Sequence, residues 1–456
     1  MSTTGRDAEV VEAGTLADSA GGGLLGGLVA TAFVVAVTSL IKVLLAAVTR
    51  QDRWVLLAAP LAGLALAVVV LHRVAGGEAA QRLVEVPGGV PRRFWAWLRF
   101  PANVLRADLT ADVVANAGTE ERFPWRLAPI RAVAILATVG LGAPMGTESP
   151  AAHLGVAAGA SLERAGGRWR RLARPAALGG GAAGVAALMG LPLVGLAFMI
   201  ELGRRNRAPV SLPRVVAAAC GALVGWAVNQ LLGLSLIRLV VPTIAPRDLL
   251  QALGTAALVG GLSGALCSLT GSLVYRARKW KAGTITRLVV GGAVVLGCAL
   301  VIGRLATPAA AVGPGAGAVA WAEATNAAWS TLLAVALLRA VATTAAVAAG
   351  GCGGLFVPFL SIGDLCGRVV GPGLGATGQL AAAAGSAGGI AGGYRLPITA
   401  ITMVVSIGGP VAARITCVAT VAFAAGAGAV VAFVLDLLGN RQDPGPRPID
   451  PDCTNG

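Results

Sequence analysis

Two short segments carry residue types that could act on a charged solute. Gly146-Thr147-Glu148-Ser149-Pro150 and Gly354-Leu355-Phe356-Val357-Pro358 share a Gly-x-x-x-Pro pattern. Glycine frees the chain to turn and proline suits the first turn of a helix, so each segment predicts an abrupt helix start. The first N–H groups of a helix lack partners within it and carry partial positive charge, a ready site for an anion. Several such starts converging near mid-membrane would replace the water shell of a small anion. With no full cation beside it, the ion stays loosely enough held to leave. Glu148 lies inside the first turn, and an ionisable residue at membrane depth is a functional candidate. Its carboxylate could occupy the anion site as a tethered competitor and swing away on protonation. The plainer alternative is an ordinary acidic helix cap.

The elements that must position these turns are apolar and repeated. Leu191-Pro192-Leu193-Val194-Gly195 follows the first turn at nearly the distance at which Leu396-Pro397-Ile398-Thr399-Ala400 follows the second. Broken helices at matching positions of two repeats are a pointer to a transport site. The block from Pro175 to Ile200 has the length of one span, yet arginines (Arg174 and Arg204) flank both ends. With Met189-Gly190-Leu191-Pro192 as a break, it predicts a re-entrant hairpin of two half-length helices, each of roughly 13 residues.

Of 456 residues, 56% are hydrophobic and 12% charged, about half the charge of a soluble domain. Uncharged blocks at Trp54–Leu71, Val215–Ile237, Leu250–Tyr275, Val369–Tyr394 and Ile415–Leu435 each reach the length of a membrane span. The chain is therefore expected to be an all-α, polytopic, multi-pass protein of the cell membrane. Its 65 glycines suit close helix packing. The expected organisation is a polar tail over 1–20, a membrane body over 21–438, and a C-terminal tail over 439–456, too short for a regulatory domain. The body divides into halves at about 21–240 and 247–438.

The net charge of +15 sits in short connectors, such as Arg164 to Arg174, Arg204 to Arg207, and Arg276 to Lys281. That is the positive-inside pattern and argues against nucleic acid as a partner. Seven scattered cysteines and two histidines support neither a disulfide scaffold nor a zinc site. No Ser/His, paired-Asp or metal-ligand constellation is present, so no enzymatic activity and no cofactor are expected. Asp364 and Arg368 read as a helical i,i+4 pair. Glu323 reads as an interfacial cap, His153 as a packed residue and Asp436 as a membrane exit.

These residues, taken together, resemble the CLC family of chloride channels and chloride–proton antiporters. Gly146–Pro150 is similar to the family's gating-glutamate motif, and Gly354–Pro358 to its Gly-x-Phe-x-Pro motif. The stretch from Pro192 to Glu201 resembles the helix ending in a family glutamate, and Arg395 to Ala400 resembles a later Arg-x-Pro-Leu-Thr turn. The resemblance covers roughly residues 125–410. It implies an inverted repeat of tilted and re-entrant helices, a homodimer with one anion path per subunit, and Glu148 as the gate. It also implies anion binding at Gly146, Thr147, Glu148, Ser149, Gly354, Leu355, Phe356 and Val357, and an inner mouth at Glu201 and Leu202. The expected partners are a small inorganic anion, chloride foremost, protons, and the lipid bilayer.

The departures from the family are specific. Thr147 stands where a lysine or arginine is usual, and Ser149 where glycine is usual. The family's Gly-Ser-Gly-Ile-Pro turn has no counterpart; Gly76-Gly77-Glu78-Ala79 lies near its place, followed by the basic aromatic stretch from Arg92 to Trp97. The only tyrosines are Tyr275 and Tyr394, so the family's tyrosine near the C-terminal helix is absent. Leu202, which cannot titrate, follows Glu201 as in the family's channels, which favours channel-like or weakly coupled transport. A proton-coupled antiporter and a non-transporting membrane scaffold or sensor are the alternatives.

Overall fold

The structure is a computed structural model that describes residues 15–75, 128–205, 210–233, 241, 243–280 and 282–439. The expectations for Gly76–Ala79, for Arg92–Trp97 and for most of both tails lie outside these residues. Among the described residues the regular structure is helical, with one isolated bridge. The first half comprises α1 (Leu16–Thr49), α2 (Arg53–Ala75), α3 (Ala128–Gly140), α4 (Glu148–Ala160), α5 (Gly167–Met189), α6 (Pro192–Arg205) and α7 (Leu212–Leu232). The second comprises α8 (Leu249–Lys279), α9 (Thr284–Leu305), the short α10 (Pro308–Ala311) and α11 (Ala316–Ala324), and α12 (Trp329–Ala348). It ends with α13 (Phe356–Val370), α14 (Gly378–Tyr394), α15 (Pro397–Ala412) and α16 (Ile415–Gly439).

The packing order repeats. α5 lies against α1, α4, α6 and α7, while α14 lies against α8, α13, α15 and α16. Likewise α3 packs on α1 and α2, and α12 on α8 and α9. Glycine makes the tightest crossings possible, because a helix without a Cβ lets another backbone approach. A Cβ on Gly179 of α5 would stand 2.6 Å from the Cα of Gly23 in α1, and one on Gly428 of α16 would stand 2.8 Å from the Cα of Gly388 in α14.

α1, α2, α5, α7, α8, α9, α12 and α16 contain stretches long and apolar enough to cross a membrane. By contrast α4, α6, α13 and α15 span 13, 14, 15 and 16 residues. At about 1.5 Å per residue they fall short of the roughly 30 Å hydrocarbon layer.

Three sequence expectations are adjusted. The first helix begins at Leu16, inside the stretch assigned to the tail, because the Thr15 hydroxyl accepts from the Asp18 amide at 3.1 Å and caps it. The re-entrant hairpin breaks where expected, at Gly190 (φ 74°), but its first limb is a 23-residue helix, since the arginine-bearing residues continue it. The Val369–Tyr394 block is divided by a 3-10 turn at Gly371–Leu374, with Gly375 in the left-handed region.

Candidate functional site

α4 and α13 begin against each other. Gly146 and Gly354 pair in antiparallel fashion, each amide donating to the other's carbonyl at 2.7 Å. The approach is tightest at the second glycine: a Cβ on Gly354 would lie 3.1 Å from the Ser149 nitrogen and 3.2 Å from Pro150 Cδ. A Cβ on Gly146 would lie 3.4 Å from Pro358 Cδ, so each motif's glycine rests on the other's proline. Two hydroxyls tie the approaches together. Thr343 of α12 donates to the Pro144 carbonyl at 3.2 Å, and the Cys352 amide donates to Thr138 of α3 at 3.1 Å.

This pairing gathers all eight residues proposed for anion contact, Gly146, Thr147, Glu148 and Ser149 with Gly354, Leu355, Phe356 and Val357, into one buried cluster. Thr147 caps α4 and Leu355 caps α13, neither with its side chain, so the first amides of both helices remain for another acceptor. Glu148 is 2% exposed. Its Oε1 accepts from the Thr147 hydroxyl at 3.2 Å. The backbone N–H groups of Glu148, Thr147 and, from the opposite helix, Val357 lie close to the carboxyl group. Its Oε2 is fully buried with no hydrogen-bond donor at bonding distance. The carboxylate thus stands where the two helix starts meet.

The Oε2 oxygen also lies where a Cβ on Gly146 would be placed. Gly146→Ala is therefore expected to displace the Glu148 carboxyl while leaving the Pro358 contact intact. In liposomes its anion flux should lose most of its dependence on pH, approaching the behaviour of a variant that lacks the carboxylate.

Glu201 and Leu202 sit elsewhere. The Glu201 carboxylate accepts from the Ile398 amide at 2.9 Å, and from the Thr399 amide and hydroxyl, each at 2.6 Å. It caps the start of α15, linking the halves, while Leu202 is buried in the core. Phe198 of the same α6 reaches the site, with its ring 5.3 Å from that of Phe356. Asp364 and Arg368 pair at 2.8 Å as spaced. Asp436 is engaged by Arg395, which holds a left-handed conformation (φ 61°) at the end of α14. Glu323 lines a polar cavity of about 380 Å³ with Arg368, Asn326 and Gln379.

Sequence reasoning missed two features. By sequence Tyr394 simply lies outside the C-terminal helix, yet its hydroxyl lies 2.5 Å from that of Ser149 and its ring stacks on Phe356 at 4.1 Å. Nothing local could have shown this. Arg131 is the second: fully buried, it lies 2.5 Å from His153 of α4. Here a signal existed, because Arg131 precedes Gly146 at the spacing at which the equally buried Arg339 precedes Gly354. Arg339 donates to the carbonyls of Ala310 and Gly313, each at 2.8 Å.

Comparisons with known proteins agree with this architecture. The family model described as voltage gated chloride channel matches residues 94–429. No curated protein matches the chain. Among solved structures, the chain is similar to a slow cyanobacterial Cl-/H+ antiporter, with a TM-score of 0.67 and 19% identity over 94% of this chain and 98% of that one. A CLC-type fluoride/proton antiporter matches with a TM-score of 0.58 and 21% identity, over 92% of this chain and 94% of that one. A eukaryotic CLC transporter matches with a TM-score of 0.62 and 16% identity, over 93% of this chain and 74% of that one. The protein is accordingly an all-α, multi-pass integral membrane protein with the CLC inverted-repeat fold. With a family model matching most of its length, and two facing motif helices at its centre, the chain belongs to the voltage-gated chloride channel (CLC) family.

Proposed function

We propose that the protein passes small inorganic anions, chloride foremost, across the membrane along a path gated by Glu148, in a channel-like or weakly proton-coupled mode. The observation that carries this reading is the Glu148 carboxyl group itself, buried where the α4 and α13 starts meet, with Val357 of the opposite motif beside it. Helix N-termini bind anions through unpaired amides and the macrodipole, so a carboxylate placed there competes with a diffusible anion for the same groups. Protonation removes the competitor's charge. Leu202, beside Glu201, offers no second titratable group for a proton path, which favours weak coupling.

A second reading, proton-coupled antiport, draws on two of the similar structures, which are described as a chloride/proton and a fluoride/proton antiporter. Chloride-driven proton uptake in proteoliposomes separates the two, with fluoride and nitrate run in parallel. Anion flux with little proton movement is the expected result, and stoichiometric proton uptake would establish antiport instead. Absence of flux and of calorimetric anion binding from monodisperse protein would leave a non-transporting scaffold on the same fold. We also take the working unit to be a homodimer with one path per subunit, as membership of the CLC family implies. Intersubunit crosslinking in membranes tests this.

A further inference from the structure

We propose that the cavity between α11, the end of α13 and the start of α14 binds the phosphoethanolamine headgroup of a bilayer lipid, its phosphate against Arg368 and α14 and its ammonium against Glu323. The cavity holds about 380 Å³. One water takes roughly 30 Å³ of liquid, so the space suits a molecule rather than a bare ion. Arg368 stands at the far end of α13 from Phe356, about 18 Å away at helical rise, so the cavity is separate from the Glu148 junction. Its depth in the membrane follows from the chain's course. Arg276, Arg278 and Lys279 place the end of α8 on the cytoplasmic side, and α9 is a 22-residue span. The chain after Leu305 therefore stands on the outer side, where α10 and α11, of 4 and 9 residues, are too short to cross back. Trp329, 65% exposed, begins the next span, and exposed tryptophan belongs at the level of the lipid headgroups. Asn326, in the loop just before it, lines the cavity. A headgroup at that level lies within reach.

The lining carries both signs of charge. Thr377 caps α14, its hydroxyl accepting from the Leu380 amide at 3.3 Å, so the Gly378 and Gln379 amides have no acceptor within the helix and suit an anionic group. A Cβ on Gly378 would meet nothing within 4 Å, so the approach to them is open. Arg368 adds a full positive charge. The buried Asp364 accepts from its Nε at 2.8 Å, which leaves the terminal guanidinium nitrogens for a second acceptor. Glu323 and Asn326, both exposed, supply the acceptors for a cation. Among the described residues Glu323 pairs with no cation. Asp364 lies close enough for its charge to act on that of Glu323, and its Oδ2 is buried without a hydrogen-bond partner. A simple anion would meet the two carboxylates, and a simple cation would meet Arg368. A ligand bearing both charges satisfies both. The ammonium of phosphoethanolamine offers three N–H donors, whereas the trimethylammonium of phosphocholine offers none. The glycerol headgroup of an anionic lipid carries no cation at all.

The test is native mass spectrometry of the full-length purified protein, titrated with phosphatidylethanolamine, phosphatidylcholine and phosphatidylglycerol of identical acyl chains. Wild type is expected to hold one phosphatidylethanolamine per chain about tenfold more tightly than either other lipid, the margin of one charge-assisted hydrogen bond. Glu323→Gln removes the ammonium's partner and should erase the preference over phosphatidylglycerol. Gly378→Glu sets a carboxylate where the phosphate belongs and should weaken phosphatidylethanolamine binding about tenfold. Both positions are exposed, and an acidic residue suits the first turn of a helix, so both variants are expected to stay monodisperse. Displacement of the lipid from wild type by excess free phosphoethanolamine would support the headgroup site without any variant. Equal affinity for the three lipids in wild type would overturn the proposal, as would a preference that survives both substitutions. Tighter binding of phosphatidylglycerol would mark a simple anion patch and overturn it too. Free phosphoethanolamine binding as tightly as the lipid, measured by calorimetry, would make the ligand a dissolved zwitterion and overturn the lipid as its source.

Discussion

Glu148→Gln is expected to transport anions at a high rate that no longer varies with pH. In the wild type, the carboxylate is charged at higher pH, and the amides at the starts of α4 and α13 hold it in the position an anion must take. As pH falls the carboxyl gains a proton, its hold on those amides weakens, and flux rises. Glutamine has the shape of the protonated acid and never carries the charge, so the variant should match the wild type's acid-side rate at every pH. A charge in a buried helix N-terminal setting contributes up to about 2 kcal/mol, so relief of the competition corresponds to a change of up to roughly thirtyfold in flux at the higher pH. Flux assays across a pH series in liposomes measure it. A variant that retains the wild-type pH profile would show that Glu148 is an ordinary helix cap and that another group sets the response.

Gly388→Val should abolish the fold rather than tune it. A Cβ at Gly388 would collide with the carbonyl oxygen and Cα of Gly260 in α8, while on the other side α16 brings Gly428 against Gly388 itself. Each obstructing group is backbone, so no rotamer change can clear it and whole helices must separate. Overpacking of cores typically costs about 1–3 kcal/mol, and a clash of main chain with main chain belongs at or above the top of that range. Size-exclusion profiles in detergent and thermal unfolding should show loss of monodisperse protein. Gly426→Val on α16 is the control, since a Cβ there meets nothing within 4 Å. It should elute and melt like the wild type. Equal damage from both substitutions would mean that helix propensity, not close approach, explains the glycines.

Much of the architecture was legible because membrane helices announce themselves by composition and length, and because glycine and proline act locally. The breaks at Gly190 and before Pro397 followed from residues within one turn of each break. Boundaries were less legible. The arginines before Pro175 looked like a connector, yet they continue α5, because helical hydrogen bonding satisfies the backbone whether its side chains are apolar or charged. The division of Val369–Tyr394 is not legible in the sequence, since its glycines sit in an uncharged stretch that reads as one span.

The sequence by itself determined the two paired turns, the helix starts at Glu148 and Phe356, and the family to which they belong. All of these depend on backbone preferences set within a few residues. Tertiary structure alone decided that Gly146 and Gly354 pair, so that both helix starts share one buried point. It also decided that Glu201 caps α15, that Arg131 meets His153, and that Tyr394 reaches Ser149 from a different helix. The reason is physical: a local turn has few conformations to choose among, whereas meetings between distant side chains depend on how closely the repeats approach, and glycine-to-backbone contacts along α5 and α14 set that distance.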